Sequence, residues 1–258
     1  MTPECCNINP YDDDPRDKTS QVSDMFDAIA PRYDFMNHAM TLGIDKIWRR
    51  RAISALRKIA PHPRYILDIA TGTADLAISL AQRLDPVSVV GIDISEEMLL
   101  KGAAKVANEN LSTIITLQQA DSLQIPFPDK SFDCITVAFG VRNFEDLSAG
   151  YAEMFRVLRP GGTLMVIELS TPTSSAVRPM YNFYTQRLVP TLGRLFTKDR
   201  KAYSYLPASI SAVPQGQEML DLIKEAGFTD TSFRTYSFGT CSVYFASKST
   251  NHLQDSTQ

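Results

Sequence analysis

Apolar and polar positions follow two rhythms along the chain, and the change near Tyr65 divides it. Before Tyr65 the spacing is helical. "SQVSDMFDAIA" places Val22, Met25, Phe26 and Ile29 on one face with Thr19 or Ser20 as N-cap, and "DKIWRRRAISALRKIA" turns Ile47, Trp48, Ile53 and Leu56 inward beneath a basic outer face. After Tyr65, short apolar runs alternate with helical segments. "YILDIA", "SVVGID", "IITLQQ", "FDCITVAFG" and "GTLMVIEL" read as strands, with helices expected over 74–83, 96–106 and 148–158. Strands separated by helices indicate βαβ units and a parallel sheet covered on both faces. Further on, "EMLDLIKEAGF" reads as a helix closed by Gly227, and "TSFRTYS" and "CSVYFAS" flank a turn at Phe238-Gly239. The expected class is therefore α/β: a mostly parallel seven-stranded sheet, an antiparallel edge hairpin and an N-terminal helical preface over 19–62.

Residues 1–18 and 249–258 are polar and are expected to be disordered tails. The connection over 171–212 is long, and connections of that length are usually functional. Between Thr171 and Pro207 it carries six Lys or Arg (Arg178, Arg187, Arg194, Lys198, Arg200, Lys201) against Asp199 alone. Tyr181, Phe183, Tyr184, Leu188, Leu192, Leu195 and Phe196 are interleaved with them, the profile of an element that rests on a membrane surface. The competing reading is a cap over the active site whose cations are solvated.

Composition narrows the classes. Hydrophobic residues at 44% and charged ones at 21% fit a soluble globular chain, and a net charge of −3 argues against nucleic-acid binding. Cys5, Cys6, Cys134 and Cys241 form neither CxxC nor a disulfide framework, and the N-terminus has no apolar signal region, so the expected home is the cytoplasm. No apolar run approaches the roughly 20 residues that span a bilayer. No His/Cys/Asp cluster has metal-ligand spacing, so no metal is expected.

The chemistry centres on "LDIATGTADL", where a strand ends on Asp68 and breaks into small residues. A dinucleotide loop needs GxGxxG, but the corresponding positions are Ala70, Gly72 and Asp75, so two of the three glycines are absent. A cofactor without phosphates does not need them, and S-adenosylmethionine fits. Gly72 would admit the cofactor against backbone, and Thr73 offers a hydroxyl and an amide. Asp93 ends the second strand, where a carboxylate can accept from both ribose hydroxyls. Asp121 follows the third strand, placed to accept from an adenine amino group, with Ser122 beside it. Singly, each could be a helix cap or turn residue. Three successive strand ends in the right order favour the cofactor. Pro160, Gly161 and Gly162 are expected to form a tight helix-to-strand turn.

From about Val22 to Ser247 the sequence resembles the ubiquinone/menaquinone biosynthesis C-methyltransferases, through "MFDAIAPRYDFMNHAMTLGIDKIWRR", "LDIATGTADL", "PFPDKSFDCITVAFGVRNF", "FRVLRPGGTL" and "YSYLPASI". The resemblance implies a Rossmann-like class I S-adenosylmethionine-dependent methyltransferase, a single domain over 19–248 with the 171–212 insertion over its active site. It places Thr73, Asp93, Asp121 and Ser122 at cofactor-binding positions; Asp68 and Gly72 complete that set. It implies a prenylated quinol as substrate, demethylmenaquinol becoming menaquinol, with the ubiquinone precursor 2-polyprenyl-6-methoxy-1,4-benzoquinol, or both, as the alternative. Ala138 departs from a serine frequent in the ubiquinone branch, and Ala74 stands where many relatives carry glycine.

The fourth strand runs into "VAFGVRNF" and lacks the acceptor-proline clamp of amine methyltransferases. Arg142 and Asn143 are donors instead. A quinol becomes a carbon nucleophile when a ring hydroxyl loses its proton, and a fixed guanidinium would favour that phenolate. The resemblance places Arg142 near the quinol, acting through a water; Asp34 could orient water or the ring hydroxyl. His38 reads as a packing or surface residue and Cys134 as a core residue. Outside this class stand an NAD-dependent dehydrogenase, disfavoured by the missing glycines, and a non-enzymatic cofactor-binding regulator. The sequence allows a homo-oligomer and transient contact with a membrane.

Overall fold

The computed structural model describes residues 8–11, 13–34, 37, 41, 43–172, 174, 177–183 and 200–250. Helix α1 (Lys18–Ile29) runs into a short 3-10 turn (Ala30–Arg32), followed by α2 (Ile44–Ile59). The α/β part begins with β1 (Tyr65–Ile69), α3 (Asp75–Leu84), β2 (Ser88–Asp93), α4 (Glu96–Asn108) and β3 (Ile115–Gln119). It continues with β4 (Phe132–Ala138), a 3-10 turn (Val141–Asn143), α5 (Leu147–Val157) and β5 (Leu158–Leu169). Helices α6 (Arg178–Phe183), α7 (Arg200–Ala212) and α8 (Gln217–Glu225) precede β6 (Thr229–Tyr236) and β7 (Cys241–Ser247).

The seven strands pair in the order β3-β2-β1-β4-β5-β7-β6, with only β7 antiparallel to its neighbours. Both faces are buried, as near-continuous apolar strands require. Alternate residues serve opposite layers: Leu67, Ile135 and Leu164 pack with Tyr151 of α5 and Met219 of α8, while Ile66, Cys134 and Met165 pack with Leu56 of α2 and Leu80 of α3. Between β1 and β4 the strand order reverses. Loops leaving these two strands diverge, so the crevice at their carboxyl ends is where a ligand fits.

The expected architecture is present, with four local differences. Helix α1 is capped by Asp17, whose Oδ1 accepts from Ser20 N–H at 2.7 Å and whose Oδ2 accepts from Ser20 Oγ–H at 3.0 Å, so Thr19 and Ser20 lie inside the helix. On α2, Ile47 is 46% exposed and Arg49 is buried instead, drawn inward by ion pairs with Asp45 and Asp75. Strand β5 starts directly from α5, and "RPGG" forms a bulge: Leu158 faces Phe132 but the next register pair is Thr163 with Cys134. Gly161, with φ +80°, makes that bulge possible, its N–H donating to Lys248 C=O at 2.7 Å. Finally, residues 8–17 are not all loose polar tail. Gln21 accepts from Tyr11 N–H at 3.0 Å and donates to the carbonyls of Asp14 and Arg16 at 3.1 and 2.8 Å.

Much of the 171–212 insertion lies outside the described residues, including Tyr184, Arg187, Leu188, Leu192, Arg194, Leu195, Phe196, Lys198 and Asp199; so do Cys5, Cys6 and His38. Cys134 is fully buried and its thiol is pushed well above its ordinary range by that burial, as a packing residue requires.

Candidate active site

A cavity open to solvent occupies the crevice outside β1, β2 and β4. Its floor is the β1 loop at Ala70 and Gly72 and the β4 loop at Phe139 and Gly140; its far wall carries Asp121, Ser122 and Leu123. Thr19, Val22 and Phe26 of α1 close it from above, together with Tyr33. Helix α1 is stitched down at both sides. Lys18 Nζ donates to Phe144 C=O at 2.9 Å, Thr19 Oγ1 to Glu145 at 2.9 Å, and Asp27 accepts from Ser95 Oγ at 2.5 Å.

Among the described residues the charge of the lining is one-sided: Asp93, Asp121 and Glu145 are present and no Lys, Arg or His. Asp93 closes β2 with both oxygens engaged, Oδ2 accepting from Gly72 N–H at 2.7 Å and Oδ1 from Ser95 N–H at 3.0 Å. Lone pairs remain on each oxygen for a ligand. Gly72 has φ +54°, and a Cβ added there would meet nothing within 4 Å, so the space in front of this loop is open. Asp121 turns its own loop, accepting from Leu123 N–H at 2.9 Å.

Asp68 and Thr73 stand behind the lining rather than in it. Asp68 is fully buried and accepts from Thr71 Oγ1 at 2.7 Å and Thr136 Oγ1 at 2.6 Å, tying the loop after β1 to β4. Thr73 Oγ1 donates to Asp34 Oδ1 at 2.6 Å. Arg142 also lies behind the wall. Its Nη1 pairs with Glu168 Oε1 at 2.7 Å and donates to Phe139 C=O, while Nε is buried with no partner among the described residues. Burial pulls its guanidinium down, but Glu168, with Tyr33 and Tyr205, more than offsets that, so Arg142 stays cationic. Its neighbour Asn143 does line the cavity and accepts from Tyr205 OH at 3.2 Å, through Oδ1.

The model for the ubiE/COQ5 methyltransferase family matches residues 15–248. The chain belongs to that family. A demethylmenaquinone methyltransferase of Bacteroides fragilis is 47% identical over 241 residues, covering 93% of this chain and 97% of its own. A protein of Geobacter sulfurreducens named ubiquinone/menaquinone biosynthesis C-methyltransferase UbiE is 42% identical, covering 90% of each chain. Among solved structures, a SAM dependent methyltransferase from Aquifex aeolicus shares the fold, with a TM-score of 0.55, 19% identity, and coverage of 76% of this chain and 88% of its own.

For a methyltransferase of this family, five of the nine residues expected from sequence line one cavity: Gly72, Asp93, Asp121, Ser122 and Asn143. Asp34, Asp68, Thr73 and Arg142 contact it through other residues. Sequence reasoning missed Glu168, Tyr205, Lys105 and Arg49. Only Glu168 left a trace, as an acid inside the apolar run "VIEL".

Burial raises the Asp68 carboxyl to about 6, the two threonine hydroxyls opposing the shift, and raises Asp93 as well, against the amides of Ser95 and Gly72. A carboxyl raised in the folded state binds its proton more tightly there than in the unfolded chain. Its contribution is therefore most favourable below the unfolded value near 3.8 and is lost as pH rises through about 6. For Asp68 the loss is on the order of 3 kcal/mol. Urea titrations from pH 4 to 7 should show Asp68→Asn gaining on the wild type as pH rises. A difference independent of pH would mean that Asp68 does not titrate there.

Proposed function

We propose that the chain transfers a methyl group from S-adenosylmethionine to a ring carbon of a prenylated quinol, converting demethylmenaquinol to menaquinol. The observation that carries the cofactor is the lining: three acids and, among the described residues, no cation, where dinucleotide glycines are missing. A pyrophosphate would meet repulsion there; an adenosyl sulfonium brings positive charge. The donor set fits. Asp93 would accept from the ribose hydroxyls, Asp121 and Ser122 would meet the adenine edge, and Ile94, Met98 and Leu123 offer apolar walls for its ring. The relatives' names supply the quinol, and the Geobacter name supplies the ubiquinone precursor as second acceptor.

The cofactor brings a methyl group on a sulfonium that is already electrophilic. The protein must therefore position the acceptor and favour its phenolate. Arg142, held charged by Glu168 behind Asn143, supplies a fixed positive potential at that wall, and Asn143 supplies the nearer polar contact. Buried behind that wall, the guanidinium is screened less than a surface charge would be. Calorimetry should show S-adenosylhomocysteine binding and NAD not binding, and the reverse would reject this reading. Mass spectrometry of cellular quinones after gene deletion should show demethylmenaquinone accumulating; a demethylated ubiquinone precursor in its place would assign the second acceptor.

A prenyl tail resides in a bilayer, so we read the protein as docking transiently on its surface. Among the described residues no helix is long and apolar enough to cross a membrane. Helix α2 instead exposes Lys46, Arg50, Arg51, Arg57 and Lys58 beside Ile47 and Ile59, with its one acid, Asp45, buried. Cations near an anionic surface contribute about 1 kcal/mol each. Binding to anionic vesicles should fall with salt and with charge reversal at Arg50 and Arg57, or at Arg194 and Lys198 if the insertion carries the contact. A wild type that ignores such vesicles at low salt would sink the docking idea.

A further inference from the structure

The sequence motifs "RYD" and "GIDKIWR" flank a segment whose described residues do not enter the cavity wall beyond Tyr33, yet they converge on one polar cluster. Lys105, half-buried on α4, donates from Nζ to Asp34 Oδ2 at 3.2 Å, to Thr73 Oγ1 at 3.1 Å and to Asp75 Oδ1. Thr73 Oγ1 donates to the other oxygen of Asp34 at 2.6 Å, so both carboxylate oxygens of Asp34 face this cluster. On the far side of Asp75, Arg49 donates to its Oδ2 at 3.1 Å and pairs with Asp45, which accepts from Thr41 Oγ1 at 2.6 Å. Asp34 through Lys105, and Asp45 through Arg49, are thus both tied to Asp75 in the first turn of α3.

We infer that Lys105 is a positioning residue which, through Asp34 and Thr73, clasps the turn at Tyr33 to the loop after β1 and so sets the cavity wall for the cofactor. The inference rests on the methyltransferase reading of the cavity. Its logic is adjacency. Asp34 and Thr73, bonded to each other, are the chain neighbours of Tyr33 and Gly72, and those two residues do line the cavity. Lys105 ties three separate elements with one ammonium, which no pair of its acids could do alone: without it, Asp34 and Asp75 would lack the cation between them. Asp34 in this role acts on position, not on substrate.

Lys105→Met and Lys105→Arg, compared by hydrogen exchange and by titration with S-adenosylhomocysteine, test this. In the Met variant, amides of peptides spanning 26–34 and 70–76 should exchange roughly two- to fivefold faster and affinity should fall about two- to fivefold, the range of one partly exposed ion-pair network. Arg, which keeps the charge, should restore most of both. Exchange unchanged over 26–34 and 70–76, a rise spread evenly over the whole protein, or a local rise with wild-type affinity would each overturn the assignment. If the wild type itself bound no S-adenosylhomocysteine, the cofactor reading would fall, while the exchange comparison would still decide whether the clasp exists.

Discussion

Asp93→Ala should weaken binding of S-adenosylhomocysteine by on the order of 100-fold. A ribose deprived of its acceptor loses two charge-assisted hydrogen bonds of roughly 1.5–3 kcal/mol each at most, and each 1.4 kcal/mol is tenfold. The substitution has a second effect. Gly72 N–H and Ser95 N–H lose the carboxylate that holds them, so the β1 loop and the start of α4 are loosened together. Asp93→Asn separates the two effects, because its amide oxygen can still accept from Gly72 while the charge is gone. Wild-type affinity in both folded variants would remove Asp93 from the cofactor site.

Glu168→Ala should lower stability by about 3–5 kcal/mol, since it leaves the Arg142 guanidinium buried and uncompensated. The pair is almost fully enclosed, with side-chain exposures of 7% for Arg142 and 2% for Glu168. In a domain of this size that corresponds to a melting temperature lower by on the order of 10 °C. Combining Glu168→Leu with Arg142→Met should recover most of the stability but none of the turnover, because the charge behind the site is gone. A single Glu168→Ala variant that melts with the wild type would show that Arg142 finds another counter-charge.

Strands and covering helices were legible because the inner strands β1, β2, β4, β5 and β7 are apolar on both faces and the loops are marked by Gly, Asp or Ser. The residues on strand ends could be placed for the same reason: Asp93 and Asp121 lie where a parallel sheet must present its carboxyl edge. Partners brought together across the fold were not legible. Arg142 and Glu168 are 26 positions apart on neighbouring strand ends, and nothing local in "VAFGVRNF" announces that the guanidinium turns inward. Arg49 sits in "WRRR", where three like residues look equally solvated, and only Asp75, 26 positions later, singles it out. The "RPGG" bulge was hidden likewise, because a Gly pair signals a break in regular structure without saying whether the ladder resumes. Asp17 went unread as a cap because it stands in an acidic run that resembles a tail.

Helix α1 leaves the ribosome before the sheet it packs on, and part of what holds it is made long afterwards. Its bonds to Phe144 and Glu145 span 126 positions, and that between Asp27 and Ser95 spans 68. A helix of 12 residues is marginal by itself in water. During synthesis it therefore cannot complete its docking until β4 and the turn after it have joined the sheet. The crevice is roofed late, by a part of the chain that was translated before the sheet. An N-terminal fusion that folds quickly and pulls on Lys18 would delay this step without touching any residue of the cavity.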